Sequence, residues 1–281
     1  MWRVVVDSTM DLPPEEVRRY GIVVVPIHIH FGRETFLDRV TISEEEFYAR
    51  IAREGVIPKT SQPSVGEFVE TYRRLAAEGA SAILSAHISS HLSGTYESAR
   101  QAADIVKDEI RVEVFDSWSG SGGLGFMARE AAELAEKGAP IESALERLSW
   151  MREVMRIYLM LDNLKFAQMS GRVTFVQQMT ASLLRLKPIV AVRKGYLEPA
   201  DKVRTVKRAL GRLVSLVADE YGDRPVHVAV MHAQAPERAK ELLELARDRL
   251  DVVDEMVTPL ATSIAVHFGP GTVGIVSYPA E

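Results

Sequence analysis

The 281-residue chain contains no cysteine, which excludes disulfide staples, thiolate nucleophiles and cysteine-ligated zinc. It lacks any apolar stretch near the roughly 20 residues that a membrane-spanning helix requires. The opening run Trp2-Arg3-Val4-Val5-Val6-Asp7 is too short for the apolar core of a signal peptide and reads as a first β-strand. A soluble, cytoplasmic protein without an integral membrane segment is therefore expected. An excess of positive charge is missing too: 34 Lys and Arg against 39 Asp and Glu give a net charge of −5. That balance argues against nucleic acid as a partner. The G-x-S-x-G elbow of serine hydrolases, the phosphate-cradling P-loop and the H-E-x-x-H zinc helix are all absent.

What is present is an ordinary globular composition, 47% hydrophobic and 26% charged, over a length that exceeds one typical core. Short β-branched runs at 4–6, 22–25, 27–31, 82–84 and 112–115 alternate with helix-like stretches at 13–19, 43–53, 65–77, 96–106 and 124–137. A helix at 140–151 leads to an apolar strand at 157–161. A second series follows, with strands at 189–192, 226–231, 252–257 and 273–278 and helices at 201–218 and 236–249. Pro13 and Pro14 suit a first helical turn, and Ser43-Glu44-Glu45-Glu46 reads as a capping box. The pattern predicts an α/β protein of two domains with largely parallel sheets, residues 1–160 and 161–281.

Two hydroxyl-rich turns carry the chemistry, Thr60-Ser61-Gln62-Pro63-Ser64 and Ser89-Ser90-His91-Leu92-Ser93-Gly94-Thr95-Tyr96. Each precedes an amphipathic helix, where unpaired backbone N–H groups and a partial positive charge meet neutral hydroxyl donors, a combination suited to a carboxylate or phosphate. Helix capping explains either turn alone. Asp7-Ser8-Thr9 and Asp116-Ser117 close strands at the end where α/β proteins bind ligands, and serve equally as local turn chemistry or as support for a pocket. Arg172, after Ser170-Gly171, offers a forked donor for an anion, and His267 stands before Gly269-Pro270-Gly271. Arg204 is a third basic candidate, with a solvated helix face as its plainer role.

Two further patterns are set aside. Gly120-Ser121-Gly122-Gly123-Leu124-Gly125 matches G-x-G-x-x-G after a strand, but helix rather than a second strand follows, so the dinucleotide unit is incomplete. His28 and His30 alternate on one strand without a third ligand, and no metal is expected. His87 and His91 lie near Ser93 in sequence. An α/β enzyme, a serine hydrolase using Ser93 or a phosphoryl-transfer enzyme, is thus the alternative to a binding protein.

Taken together, the segments resemble the DegV family of bacterial fatty-acid-binding proteins. The matching pieces are Val6-Asp7-Ser8-Thr9 with Asp11-Leu12-Pro13, Lys59-Thr60-Ser61-Gln62-Pro63-Ser64, Leu92-Ser93-Gly94-Thr95-Tyr96-Glu97-Ser98-Ala99, Val114-Phe115-Asp116-Ser117, Ser170-Gly171-Arg172 and His267-Phe268-Gly269-Pro270-Gly271, in the family's order over essentially the whole chain. The resemblance implies two α/β domains enclosing a long-chain fatty acid, such as palmitate, between them, with no catalytic residues and no cofactor. It implies that Thr60 and Ser93 meet the carboxylate, that Ser61, Gly94 and His267 add neighbouring contacts, and that a fatty-acid kinase phosphorylates the presented carboxylate for phospholipid synthesis. Arg172 and Arg204 would then serve the phosphate or the kinase encounter. The stretch Leu164-Lys165-Phe166-Ala167-Gln168-Met169-Ser170, poorer in lysine and glycine than is usual, and Trp118 depart from the pattern.

Overall fold

Val4, Val5 and Val6 are buried on both faces of their strand, as a continuous apolar run demands of a strand inside a parallel sheet. In the computed structural model, which describes residues 1–170 and 186–280, that strand is β1 (Arg3–Asp7). It lies between β2 (Val23–Val25) and β6 (Ile83–His87), with β7 (Val112–Asp116) beyond, in an all-parallel sheet of order β2-β1-β6-β7. A second, antiparallel sheet orders β4 (Glu34–Leu37), β3 (His28–Phe31) and β5 (Lys59–Ser61). The chain divides into two compact units, Met1–Glu153 with Ala261–Ser263, and Val154–Leu260 with Ile264–Glu281. The sequence boundary at 160 falls at the end of β8 (Arg156–Met160), a strand of the second unit.

In the first unit α3 (Val65–Ala77) and α4 (Thr95–Val106) cover one core, where Phe68, Tyr72, Leu75, Ala99, Ala102 and Val106 meet Val5 and Ile83. Around them lie α1 (Pro14–Arg19), α2 (Glu44–Glu54), α5 (Ser121–Glu136) and α6 (Ile141–Val154). Helix α5 starts earlier than the sequence pattern suggested because its glycine-rich opening is itself helical and buried. No strand intervenes between α5 and α6, so the G-x-G-x-x-G match has no dinucleotide unit around it. Its glycine at 125 answers a different need: a Cβ there would run into the backbone carbonyl of Asp11.

The second unit is built on a six-stranded sheet of order β10-β9-β8-β13-β11-β12, with β9 (Lys187–Arg193), β10 (Tyr196–Val203), β11 (Val226–His232), β12 (Val252–Pro259) and β13 (Val273–Pro279). Only β11 and β12 pair in parallel there, so the expected α/β class holds while the larger sheet is mixed rather than largely parallel. The hairpin of β9 and β10 turns at Lys194 and Gly195, both at positive φ. That hairpin also corrects the helix expected from residue 201. Asp201 to Val203 belong to β10, and the helix α8 (Val206–Tyr221) begins only after Thr205 caps it by accepting from the Arg208 N–H. Leu210, Leu213 and Val214 of α8, with Leu242 and Ala246 of α9 (Pro236–Arg249), pack on Met160, Ile189, Val228 and Val230. The short helices α7 (Lys165–Ser170) and α10 (Thr262–Phe268) complete the described elements, and no described helix is long and apolar enough to cross a membrane.

Candidate functional site

Because β1, β6 and β7 run parallel, their carboxyl ends share one sheet edge, and Asp7, His87 and Asp116 line up there. Each supports the chain leaving β6. Asp7 Oδ2 accepts from the Ile88 N–H at 2.9 Å and lies 3.0 Å from His87 Nδ1. Asp7 Oδ1 accepts from both the amide and the hydroxyl of Thr9, at 3.0 and 2.5 Å. Asp116 Oδ1 accepts from the amides of Ser90 and Trp118, at 3.1 and 3.2 Å, and the Ser117 hydroxyl donates to the His87 carbonyl at 2.6 Å. The same carboxylates make local turns and hold the neighbouring hydroxyl-rich segment. Complete burial pushes the Asp7 carboxyl up, but the hydrogen bond and charge of His87, with Thr9 and Ile88, outweigh it and hold Asp7 below the usual carboxylate range.

The second hydroxyl turn rises from this edge. Ser93 N–H and Leu92 N–H both donate to the Ser89 carbonyl, at 3.1 and 2.9 Å. The N-cap of α4 is Gly94, which has no side chain to cap with, so Ser93 takes a nearby role. Its hydroxyl sits 2.8 Å from that of Thr95 and accepts from the Thr95 N–H at 3.3 Å. Ser93 stays half-buried while Thr95 is fully buried. The serine therefore orders the helix start while remaining half-buried.

The first hydroxyl segment, expected as a turn, opens as strand β5 over Thr60 and Ser61, and residues 62–64 lead from it into α3. Thr60 pairs with Ile29 and Ser61 with His28 across β5 and β3. His30 Nε2 lies 2.8 Å from Ser61 Oγ and its Nδ1 lies 2.9 Å from Thr35 Oγ1, while His28 Nε2 lies 2.8 Å from Glu67 Oε1. Both histidines are thus engaged in fixing this segment. Capping falls to Ser64, which forms a complete capping box with Glu67. Ser43 makes only half of the expected one, accepting from the Glu46 N–H.

The two hydroxyl segments meet directly. A Cβ added to Gly94 would stand 2.6 Å from Gln62 Nε2 and 3.0 Å from its Cδ, so the Gln62 side chain occupies the space that a larger residue at 94 would need. Thr60, Ser61, Ser93 and Gly94 are in this way gathered in one unit, on neighbouring segments. Gln62 and His30 were not singled out in the sequence as members of this site, and His87 was named only beside Ser93 for the hydrolase alternative. The alternation of His28 and His30 beside a hydroxyl segment was the available signal.

His267 and Arg204 belong to the second unit. His267 is half-buried at the end of α10, ahead of Gly269 and Gly271 at φ +80° and +84°. Gly269 is pressed against the Phe166 ring, and Arg238 Nη1 donates to the Gly271 carbonyl at 2.7 Å and to Asp162 at 2.9 Å. Arg204 is exposed in the bend after β10, not on a helix face. Arg172 lies outside the described residues. A serine-hydrolase arrangement at Ser93 finds no base in His87, whose ring nitrogens face Asp7 and Ser85. Trp118 adopts φ +50° beneath the Arg152 guanidinium, 4.2 Å from its ring.

Comparison with known proteins covers the full length. The sequence model of the DegV family, described as one of uncharacterised proteins, matches residues 1–280. A DegV domain-containing protein of Halalkalibacterium halodurans is 34% identical over 276 residues, 98% of this chain and 97% of that one. A crystal structure described as a DegV lipid-binding protein from Thermotoga maritima superposes with a TM-score of 0.91 at 33% identity, covering 100% of this chain and 99% of that one. A Thermus thermophilus structure, described as fatty acid binding of a DegV family protein, gives 0.91 at 32% identity over 99% of each chain.

Proposed function

The chain belongs to the DegV family, and from that premise we propose that it is a carrier that binds one long-chain fatty acid, its carboxylate held by Thr60 and Ser93 with Ser61 and Gly94 beside them. The observation that carries this reading is the contact of Gln62 with Gly94, which brings two hydroxyl segments side by side in one unit. Relatives described as lipid- or fatty-acid-binding, matched over their whole length, support the ligand class.

Neutral hydroxyls and helix-terminal amides satisfy a carboxylate at lower desolvation cost than a buried ion pair would. The tail supplies the affinity. Burial gives about 0.8 kcal/mol per CH₂, so a sixteen-carbon chain gains on the order of 10 kcal/mol before the cost of immobilising it. His267, Arg172 and Arg204 come to the proposal from the resemblance alone. So do presentation of the carboxylate to a fatty-acid kinase and a cytoplasmic location. In this reading the protein holds its ligand and catalyses nothing itself.

Native mass spectrometry of the desalted protein tests the assignment. A mass excess equal to a fatty acid is expected, lost in the folded double variant Thr60→Val, Ser93→Ala. Ligand-free protein that fails to take up added fatty acid would overturn the carrier reading, and undiminished occupancy in the double variant would overturn the two headgroup residues.

A further inference from the structure

Behind the two hydroxyl segments runs an unbroken chain of polar side chains. Tyr72 OH lies 2.8 Å from Ser85 Oγ, Ser85 Oγ lies 2.7 Å from His87 Nε2, and His87 Nδ1 lies 3.0 Å from Asp7 Oδ2. All four side chains are fully buried, at 0% exposure. An ionised carboxylate only accepts, so His87 Nδ1 donates to Asp7. His87 Nε2 is bonded in turn to Ser85 Oγ, and Ser85 Oγ to the Tyr72 hydroxyl. Each side chain in the row is thus bonded to the next.

The order serine, histidine, aspartate is that of a hydrolytic relay, but the Ser85 hydroxyl is enclosed in the core between Tyr72 and His87. What the chain does connect is informative. Tyr72 stands on α3, the helix that follows Thr60 and Ser61 and is capped by Ser64. Phe68, also on α3, meets the His87 ring edge-on at 5.0 Å. At the other end, Asp7 takes the Ile88 N–H, the amide from which the segment bearing Ser93 departs. Apolar residues would fill this space without the desolvation cost of four polar groups; directional bonds add a fixed geometry that apolar packing does not.

We propose that Tyr72, Ser85, His87 and Asp7 are positioning residues that set the spacing between the two hydroxyl segments, and through it the headgroup geometry. The inference rests on reading those segments as the carboxylate site. Tyr72→Phe tests it, since only one hydroxyl is removed and the ring stays. Leu75→Val, on the same helix and in the same core, is the control for destabilisation alone. Titration with a fluorescent long-chain fatty acid is expected to show Tyr72→Phe binding about tenfold more weakly than wild type, the scale of one buried hydrogen bond. Leu75→Val should bind like wild type despite a lowered melting temperature. Adding Ser85→Ala to Tyr72→Phe should cost little more than either alone, because one chain is being cut twice.

Wild-type affinity in Tyr72→Phe, or equal losses in Tyr72→Phe and Leu75→Val, would overturn the proposal. Amide hydrogen exchange of the ligand-free proteins separates it from the fatty-acid reading. Faster exchange across residues 88–93 in Tyr72→Phe, with Leu75→Val unchanged there, supports positioning even if no fatty acid binds. Unchanged exchange in Tyr72→Phe refutes it.

Discussion

The side chain of Gln62 lies over the bare Cα of Gly94, with Nε2 only 2.6 Å from where a Cβ would project. Gly94 has φ −75°, so its backbone suits any residue and the glycine answers to space, not to conformation. Because the obstruction is the end of a flexible side chain, Gly94→Ala is expected to fold, with a stability change of about 1 kcal/mol or less for an N-cap alanine. Fatty-acid affinity should fall several-fold as Gln62 is driven off, and Gln62→Ala in the same chain should recover part of it. Thermal melts and ligand titration of the single and double variants check this.

Gly125 gives the opposite outcome. Its missing Cβ makes room for the main-chain carbonyl of Asp11, which has little freedom to withdraw because the Asp11 N–H donates to Ser121 O and the Asp11 side chain is buried. Gly125→Ala is expected to destabilise by about 3 kcal/mol or more, at the upper end for overpacked cores. Denaturant unfolding should show the loss as a lowered midpoint with an unaltered slope.

Asp38 and Asp11 each bind the segment Ala261–Ser263 from deep within the first unit. Asp38 Oδ1 accepts from the Thr262 hydroxyl at 2.5 Å and its Oδ2 from Ser8 at 2.8 Å, while Asp11 accepts from the Ala261 N–H at 3.0 Å. Thr262→Val leaves a buried carboxylate oxygen without its donor and should cost about 1–3 kcal/mol. Thr262→Ser keeps the hydroxyl and should cost less than half as much. Equal melting temperatures for the two variants would show that the hydroxyl contributes nothing.

The pH dependence follows from opposed acids. Asp7 is held below the usual carboxylate range, so its stabilising contribution is complete above roughly pH 3.9, where an unfolded aspartate titrates, and is lost as pH falls through the lower folded value. Asp11 is raised, because burial outweighs the attraction of Arg39 and the hydrogen bond of Ser121, so folding gains as Asp11 takes up a proton. Asp7→Asn is therefore expected to lower stability at pH 7 and to flatten its decline below about pH 4, relative to wild type. Urea titrations between pH 3 and 7 measure both effects.

Much of the fold was legible because the local signals are strong. The apolar run Val4–Val6 reads as a strand and is a buried one, Ser64 stands just before the helix it caps, and α9 begins at Pro236. Two of the missed strands exist only through a partner. β10, with its Glu198, Pro199 and Asp201, carries no strand pattern and is a strand because β9 pairs with it through a bulge. β5 likewise exists by pairing Thr60 and Ser61 with β3, which is why a hydroxyl-rich segment read as a turn.

The sequence by itself determined which hydroxyls and helix starts this chain carries: Thr60, Ser61 and Ser93, the last beside Gly94, in a chain without cysteine or excess positive charge. Residue type and order fix donors, acceptors and helix starts, because those depend on neighbours within a few positions. Tertiary structure alone decided that the two segments touch, that Gln62 fills the space over Gly94, and that Asp7 reaches His87 and Ile88 across 80 and 81 residues. Such contacts arise from the pairing order of β1 and β6 and the packing of α3 and α4, which place residues distant in sequence at one sheet edge.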